Sequence, residues 1–318
     1  MNDYEFMLQD RIAKIQAINE QYDLEHNAYI SFSGGIDSLI THYLHDIALP
    51  NNKIPRVYAN TGIEYKHIRL FVKDLASKDD RFIILNQTRN IKQTLETYGY
   101  PFKSKEHSLR VEQFNKGTNA NYIKKYISGY DFKNDKPSKF VCPDILKYQF
   151  QKKGKYNYSN LCCYKLKKEL MHKWAVSNKK RICITGMRKE EGGNRERLGC
   201  TIFDKGKLIK FHPLIVVSKE WEQEFIKRNN IKLCDLYYPP YNFTRTGCKG
   251  CPFSLDLAKD LEVMKELLPN EYKQCNIIWK PVYDEYKRIG YRLSNKIDQL
   301  SIFDLGVDYE TKIQEKEK

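Results

Sequence analysis

The sequence of 318 residues lacks any apolar run that approaches the roughly 20 residues of a membrane-spanning helix. Apolar runs such as Ile182–Ile184 have only the length of a β-strand. Residues 1–5 include two acidic side chains, and they lack the basic and apolar regions of a secretory signal. We therefore expect a cytoplasmic protein that has no membrane partner.

Acidic residues are too few to balance the basic ones. The chain has 55 Lys and Arg residues against 40 Asp and Glu residues, which gives a formal net charge of +15. This excess favours a polyanionic partner, either a nucleotide, a nucleic acid or both, although a general bias toward lysine would produce the same excess. Hydrophobic residues make up 41% of the chain, which is enough for a large core.

Strand patterns alternate with helical patterns in the first third of the chain. Runs rich in β-branched and aromatic residues lie at 28–32, 56–60 and 81–85, and a fourth strand-like run lies at 181–185. Because a helical apolar period follows the early strands, the pattern predicts βαβ units. The predicted fold class is α/β, with a doubly wound, mainly parallel twisted sheet of about five strands and helices on both faces.

The same patterns predict how the chain divides. Residues 1–27 carry an amphipathic N-terminal helix, residues 28–255 form the α/β domain, and residues 256–318 form a helical C-terminal segment stapled by cysteines. Residues 100–160, which are rich in Lys, Tyr and Asn, interrupt the strands as an insertion. An insertion of this length implies helices together with a surface loop.

A tight turn rich in glycine and serine lies between the first predicted strand and the helix that follows it. It reads Ser-Gly-Gly-Ile-Asp-Ser over residues 33–38. Glycines let the backbone approach an anion closely, and a helix N-terminus supplies N–H groups and partial positive charge. The turn matches neither a Walker A loop nor the Gly-x-Gly-x-x-Gly pattern. We predict an anion-binding turn here, and the alternative is an ordinary strand–helix connection.

Arginines cluster after the fourth predicted strand. Arg188, Arg195 and Arg197 lie there, and guanidinium groups pair bidentately with phosphate or sulfate oxygens. A solvated charged loop is the alternative interpretation. His212 precedes Pro213, and it is either a binding residue or a structural residue fixed by that proline.

Two pairs of cysteines have a spacing that suits metal binding. Cys162 adjoins Cys163, and Cys248 is followed by Cys251, with residues 164–247 between the pairs. A reducing compartment disfavours a disulfide framework for the nine cysteines of the chain. Four thiolates suit a zinc ion or an iron–sulfur cluster equally well, and a redox dithiol at the Cys-x-x-Cys is a third alternative.

Four segments, in sequence order, resemble one family. Ser-Gly-Gly-x-Asp-Ser is similar to the PP-loop of the adenine-nucleotide α-hydrolase-like superfamily, and the rest of the chain resembles its phosphoadenosine phosphosulfate (PAPS) reductase branch. The other matching segments are Asn60-Thr61-Gly62, Gly186-Met187-Arg188 leading to Arg195, and His212-Pro213-Leu214 followed by Trp221. The resemblance implies a Rossmann-like fold of the PP-loop type. It also implies a nucleotide site formed by Ser33, Gly34, Gly35, Asp37, Ser38, Asn60, Thr61, Gly62, Gly186, Arg188, Arg195 and His212.

The cysteine pairs are similar to those of adenylyl-sulfate (APS) reductases, which hold a [4Fe–4S] cluster with a vicinal pair and a distant Cys-x-x-Cys. The resemblance implies that the cluster ligands are Cys162, Cys163, Cys248 and Cys251, with zinc as the alternative metal. The chain departs from these reductases at its end. Their catalytic cysteine lies in a C-terminal Glu-Cys-Gly-x-His segment, whereas residues 303–309 read Phe-Asp-Leu-Gly-Val-Asp-Tyr.

Three functions are compatible with these features. The first is ATP-dependent sulfur insertion, in which an acceptor is adenylylated with release of pyrophosphate; relatives of this kind modify tRNA bases or DNA backbones. The second is sulfonucleotide reduction by a relocated nucleophile, Cys275 or Cys234. The third is a non-enzymatic sensor that binds a nucleotide and a cluster. The candidate catalytic residues are Asp37, Arg188 and Cys275.

These functions define the expected cofactors and partners. The cofactors are a [4Fe–4S] cluster, ATP or a sulfonucleotide (PAPS or APS), and Mg²⁺ as a further candidate. The partners are an adenine nucleotide, a tRNA or DNA acceptor, and a sulfur-donor or reductant protein. We also expect the chain to form a homo-oligomer.

Overall fold

The computed structural model of the protein describes residues 2–151 and 156–293, apart from the side chain of Asn194. Outside the described residues lie four residues of the predicted insertion and the end of the predicted C-terminal segment, which includes residues 303–309. Within the described part of the chain, no helix is both long enough and apolar enough to cross a membrane.

Strands and helices alternate through the first part of the chain and again after residue 180. The strands are β1 (Ala28–Phe32), β2 (Arg56–Asn60), β3 (Phe82–Asn86), β4 (Tyr130–Asp131), β5 (Lys136–Pro137), β6 (Ile182–Ile184), β7 (Thr201–Asp204) and β8 (Lys207–Phe211). The α-helices are α1 (Asp3–Tyr22), α2 (Leu24–Asn27), α3 (Ile36–Ala48), α4 (Lys66–Lys78), α5 (Ile91–Tyr98), α6 (Lys105–Asn115), α7 (Asn121–Ser128), α8 (Glu169–Ser177), α9 (Lys219–Arg228), α10 (Leu257–Leu267), α11 (Pro269–Ile278) and α12 (Lys280–Arg288).

The chain divides into two compact units. The sheet unit consists of residues 1–94 and 163–249, and the helical unit consists of residues 95–162 and 250–318.

The sheet unit is built on a six-stranded sheet in the order β3-β2-β1-β6-β8-β7. Five of these strands run parallel, and β7 pairs antiparallel with β8. Because parallel strands are joined by helical crossovers, helices cover both faces. On one face α8 packs against Tyr29 and Val57, and on the other His42 of α3 meets the ring of Phe82. The predicted α/β fold with a mainly parallel sheet is confirmed.

The sixth strand was not predicted from the sequence. β7 and β8 form a hairpin whose two turn residues, Lys205 and Gly206, have φ angles of 46° and 77°. Positive φ at both positions fits the twist of a tight hairpin, and glycine takes such a conformation without steric cost. The hairpin adds an edge strand that is too short and too polar to give a clear strand pattern.

The helical unit has an aromatic core of its own. His107 on α6 lies at its centre with no solvent exposure. Its Nδ1 lies 2.9 Å from the hydroxyl of Tyr126, and its Nε2 lies 2.9 Å from Oε1 of Gln149. The rings of Phe102 and Phe150 pack against the imidazole. The polar pairs satisfy a buried histidine and fix how α6 and α7 pack.

Candidate functional site

The candidate site lies at one edge of the sheet unit. Residues 33–38 follow β1, Asn60 ends β2, Gly186 follows β6, and His212 follows β8. These strands are parallel, so their carboxyl ends meet at the same edge. This is the edge at which open α/β sheets bind ligands.

The serine side chains close the turn at residues 33–38. The two hydroxyls of Ser33 and Ser38 lie 3.0 Å apart, and the Ser38 hydroxyl donates to the carbonyl of Gly35 over 2.9 Å. Gly35 is the N-cap of α3 and brings no side chain to the first turn of the helix. The start of α3 therefore presents backbone and helix dipole, the combination that favours an anion.

Two glycines allow the close packing behind this turn. Gly34 has a φ of 77°, and a Cβ atom there would lie 2.9 Å from Cγ2 of Ile68. A Cβ atom on Gly186 would lie 2.5 Å from the carbonyl oxygen of Asp37 and 2.7 Å from Oγ1 of Thr41. The end of β6 therefore touches the backbone of α3, and only glycine fits at Gly186 without a shift of one element.

Arg188 joins three carboxylates beside the turn. Its Nε lies 3.0 Å from Oδ1 of Asp37 and 3.1 Å from Oε2 of Glu222, and its Nη1 lies 2.6 Å from Oε2 of Glu190. Two predicted site residues, Asp37 and Arg188, are thus in direct contact.

Glu222 is a residue of this cluster that the sequence analysis missed. It lies on α9 and is 3% exposed, and its Oε1 has no hydrogen-bond partner among the described residues. Burial, together with the nearby charge of Asp37, raises the pKa of Glu222 well above its usual range. No local sequence signal separates Glu222 from Glu220 and Glu224 on the same helix, so only its burial identifies it.

The other predicted binding residues of the sheet unit have different partners. Arg195 pairs with Glu191, which also pairs with Arg245. Asn60 donates to Oδ1 of Asn86 over 2.8 Å.

His212 is buried, and its Nδ1 lies 2.7 Å from Oγ1 of Thr185. Burial lowers the pKa of His212 to about 4, so its imidazole is neutral near neutral pH and brings no positive charge to an anion. Its Nε2 has no hydrogen-bond partner within the described residues. The contact with Thr185 gives the ring a structural role, and its binding role stays a prediction.

The loop after β2 is tied to the second cysteine pair through Glu64. The backbone N–H and hydroxyl of Thr61 donate to the Glu64 carboxylate over 3.0 and 2.8 Å. Glu64 forms an isolated antiparallel bridge with Cys248, and Nζ of Lys167 lies 2.8 Å from Oε1 of Glu64. Cys248 therefore lies beside the loop that follows β2, at the edge that carries the turn.

Two of the four predicted metal ligands belong to the sheet unit and share one cation. Burial would lower the pKa of Lys167, but Cys248, Glu64 and Cys163 raise it overall. Burial raises the pKa of the Cys248 thiol to about 11, although the Lys167 charge opposes this shift. A thiol of this kind ionises when a cation stabilises its thiolate, and in this respect Cys248 fits a metal centre.

The first cysteine pair begins a helix. Cys162 and Cys163 form the start of a helix that continues through a π-helical turn, Tyr164–Lys168, into α8. Such turns are frequent at functional sites. Cys162 and Cys251 belong to the helical unit. Across residues 2–151 and 156–293, no group of three or more His, Cys, Asp or Glu side chains is arranged to hold a metal ion.

The two cysteines predicted as relocated nucleophiles are buried. Cys275 has no solvent exposure and Cys234 is 2% exposed. In the helical unit, Sγ of Cys275 would lie 2.9 Å from a Cβ atom built on Gly250, so its thiol packs against the Cys-x-x-Cys turn. Burial raises the pKa of Cys234. Neither thiol has the exposure that a nucleophile needs for a soluble substrate.

Comparison with known proteins gives one curated relative and several structural similarities. The chain is 25% identical over 304 residues to the uncharacterized protein MJ0973 of Methanocaldococcus jannaschii; the match covers 92% of the chain and 57% of that protein's length. The PAPS reductase of Candida auris has a TM-score of 0.41 and 11% identity, covering 74% of this chain and 87% of that one. The U34-tRNA thiolase NcsA of Methanococcus maripaludis, with its [4Fe–4S] cluster, has a TM-score of 0.37 and 16% identity, covering 91% and 82%.

The family comparison covers most of the chain. The family model for the phosphoadenosine phosphosulfate reductase domain matches residues 27–134 and 140–254. The match includes the turn at residues 33–38, the Arg188 cluster and both cysteine pairs. The chain therefore belongs to the phosphoadenosine phosphosulfate reductase domain family.

Proposed function

We propose that the protein is an ATP pyrophosphatase that adenylylates an acceptor, so that sulfur can then be inserted. The observation that carries the proposal is the contact of Arg188 with Asp37 on the first turn of α3. A guanidinium at the mouth of an anion-binding turn is placed to neutralise charge that develops on a transferring phosphoryl group. Mg²⁺ bound to the nucleotide phosphates would find the Asp37 carboxylate, a ligand of the type that it prefers.

The reaction has two steps. An acceptor oxygen attacks the α-phosphorus of ATP, and pyrophosphate leaves. A sulfide equivalent from a donor then attacks the activated carbon or phosphorus, and AMP leaves with the original oxygen. Burial of Cys275 and Cys234 favours this scheme over sulfonucleotide reduction, because reduction requires an accessible thiolate on the enzyme.

The test is to identify the products formed from ATP labelled at the α- or γ-position. With Mg²⁺ we expect pyrophosphate release that increases with added single-stranded RNA or DNA, and release of AMP when a sulfide donor is also added. The variant Arg188→Ala should lose at least about 100-fold in rate if the guanidinium acts on the transition state. Arg228→Ala, which removes an exposed ion pair on α9, is the matched control and should keep the wild-type rate.

Other products would contradict the proposal. ADP and phosphate would indicate cleavage at a different bond, and sulfite release from PAPS or APS would identify the reductase. Nucleotide binding without turnover under all these conditions would favour a sensor.

We further propose that Cys162, Cys163, Cys248 and Cys251 hold a [4Fe–4S] cluster that supplies the site for sulfur delivery. The support is the family resemblance of the spacing and the electrostatic interaction of both Cys163 and Cys248 with Lys167. Thiolates near a half-buried ammonium lose part of the repulsion that clustered negative charges would otherwise have. A cluster that closes the long segment between the two pairs would also stabilise the fold.

Anaerobic reconstitution tests the metal. We expect about four iron and four sulfide ions per chain, together with the broad visible absorption of a cluster. Cys248→Ser should lose most of both, whereas Cys183→Ser, at a cysteine within β6, should bind as the wild type does. Binding of one zinc ion per chain without sulfide would contradict the cluster and indicate a structural zinc site.

A further inference from the structure

A small hairpin in the helical unit exposes large aromatic side chains. It comprises residues 129–141 and contains β4 and β5, and we refer to it as the basic aromatic hairpin. Phe132 is 71% exposed and Phe140 is 61% exposed. Phenylalanine is usually buried. Exposure of two such rings to water on one short hairpin is unfavourable, and burial against a partner would recover this free energy.

Three lysines lie between these two rings in the sequence. Lys133, Lys136 and Lys139 lie on the hairpin and are exposed, and no carboxylate in the described part of the chain forms an ion pair with any of them. The two acidic side chains of the hairpin interact with residues other than these lysines. Asp131 pairs with Lys125, and Asp135 accepts a hydrogen bond of 2.5 Å from the hydroxyl of Tyr130. The three ammonium groups therefore remain available to an anionic partner.

The hairpin is held in place by hydrogen bonds at its base. The N–H of Ser138 donates to the carbonyl of Gly129 over 2.8 Å, and the N–H of Cys142 donates to the carbonyl of Tyr126 over 2.7 Å. At the tip, the amide of Asn134 donates to Asp131 over 2.7 Å. Tyr126 itself is buried and anchored to His107. An ordered platform reduces the conformational entropy that binding would cost.

We propose that the basic aromatic hairpin binds a single-stranded segment of nucleic acid. Unpaired bases stack on Phe132 and Phe140, and the three lysines contact the intervening phosphates. Exposed aromatic rings and unpaired lysines on one short hairpin provide stacking surfaces for bases and positive charge for phosphates, the two features that single-stranded nucleic acid requires. This inference rests on the proposed function, because it supplies the binding surface for a nucleic-acid acceptor.

A second copy of the chain fits this surface less well. A symmetric contact would bring six unpaired lysine charges together, and like charges in an interface oppose association. A double helix fits less well too, because its bases are stacked and paired and cannot lie flat on a phenylalanine ring.

The experiment measures fluorescence anisotropy of labelled single-stranded RNA and DNA with the full chain, without ATP. Phe132→Ala/Phe140→Ala should weaken binding by at least about 30-fold, since each of the two stacked bases contributes roughly 1–3 kcal/mol. Lys133→Gln/Lys136→Gln/Lys139→Gln should reduce the slope of log affinity against log salt by about 2, because each phosphate contact on a single strand contributes about 0.7. Phe6→Ala, at an exposed phenylalanine on α1, and Lys78→Gln should bind as the wild type does.

Three outcomes would overturn the proposal. These are no binding of single strands by the wild type at low salt, equal binding by the hairpin variants and the wild type, and a change in oligomeric state of the phenylalanine variant without a change in RNA binding. The last outcome would assign the surface to self-association. ATP cleavage is measured separately, so a chain that binds RNA through the hairpin but releases no pyrophosphate would contradict the proposed function and leave the surface intact.

Discussion

Gly186→Ala should remove measurable nucleotide binding and destabilise the sheet unit. The added Cβ atom would lie 2.5 Å from the carbonyl oxygen and 2.7 Å from the carbonyl carbon of Asp37. Both atoms belong to the backbone, so no side-chain rotation relieves the overlap. Either β6 or the first turn of α3 must move, and a displaced turn no longer presents its N–H groups to an anion. Overpacking of this kind costs about 1–3 kcal/mol in stability.

A second glycine of the sheet unit gives the matched control. A Cβ atom on Gly199 would have its nearest contact at 3.5 Å, with the carbonyl oxygen of Thr201. Gly199→Ala should therefore bind nucleotide as the wild type does and unfold at a similar urea concentration. Calorimetric titration with ATP and equilibrium unfolding in urea measure the two effects. Equal binding by both alanine variants would mean that the contact of Gly186 with α3 does not position the site.

The sheet and the turn could be predicted from the sequence because their signals are local. Residues 28–32 are almost entirely buried, as expected of a central strand, and the glycines of the turn follow them directly. The same holds for Asn60 and Gly186, which are close to strand ends. Parallel pairing then brings these positions to one edge without any information about side chains.

Glu222 could not be predicted in this way because its role depends on tertiary contacts. On α9 it is one acidic residue among several. Only the packing of α9 within the sheet unit buries it and brings it to Arg188. The role of His212 likewise depends on its burial, which no local pattern reports. The grouping of four cysteines is implied by the resemblance of their spacing to that of adenylyl-sulfate reductases and stays a prediction, and spacing does not specify how Cys163 and Cys248 share Lys167.

The role of Arg188 can be separated from its effect on stability through Glu222. Arg188→Ala leaves the nearly buried Glu222 and the half-exposed Asp37 without their cation. Loss of one partner from a buried pair costs about 3 kcal/mol or more when the remaining charge stays ionised. Glu222 avoids part of this cost by keeping its proton, because burial and the charge of Asp37 already raise its pKa. The destabilisation should therefore depend on pH.

A carboxyl group whose pKa is raised on folding holds its proton more tightly in the folded state. Its contribution to the free energy of unfolding is therefore most favourable at low pH. This contribution is lost as pH rises from the unfolded pKa toward the folded pKa, by at most about 1.4 kcal/mol per pH unit. Arg188→Ala removes a cation that lowers the pKa of Glu222, so it extends this loss to higher pH. The folded wild type already has a Glu222 pKa of about 9, so we expect a similar destabilisation near pH 6 and pH 8 and a larger one near pH 10.

The double variant Arg188→Ala/Glu222→Gln separates the two roles of the arginine. Glutamine has the shape of the protonated glutamate and no charge, so the double variant should recover most of the additional stability lost near pH 10 and lose the added pH dependence. Nucleotide affinity should stay on the order of 10- to 100-fold below the wild type, because a neutral glutamine does not replace a charge-assisted contact with phosphate. Urea unfolding at these pH values and ATP titration measure these outcomes. Recovery of affinity together with stability would show that Arg188 only neutralises Glu222 and does not contact the anion.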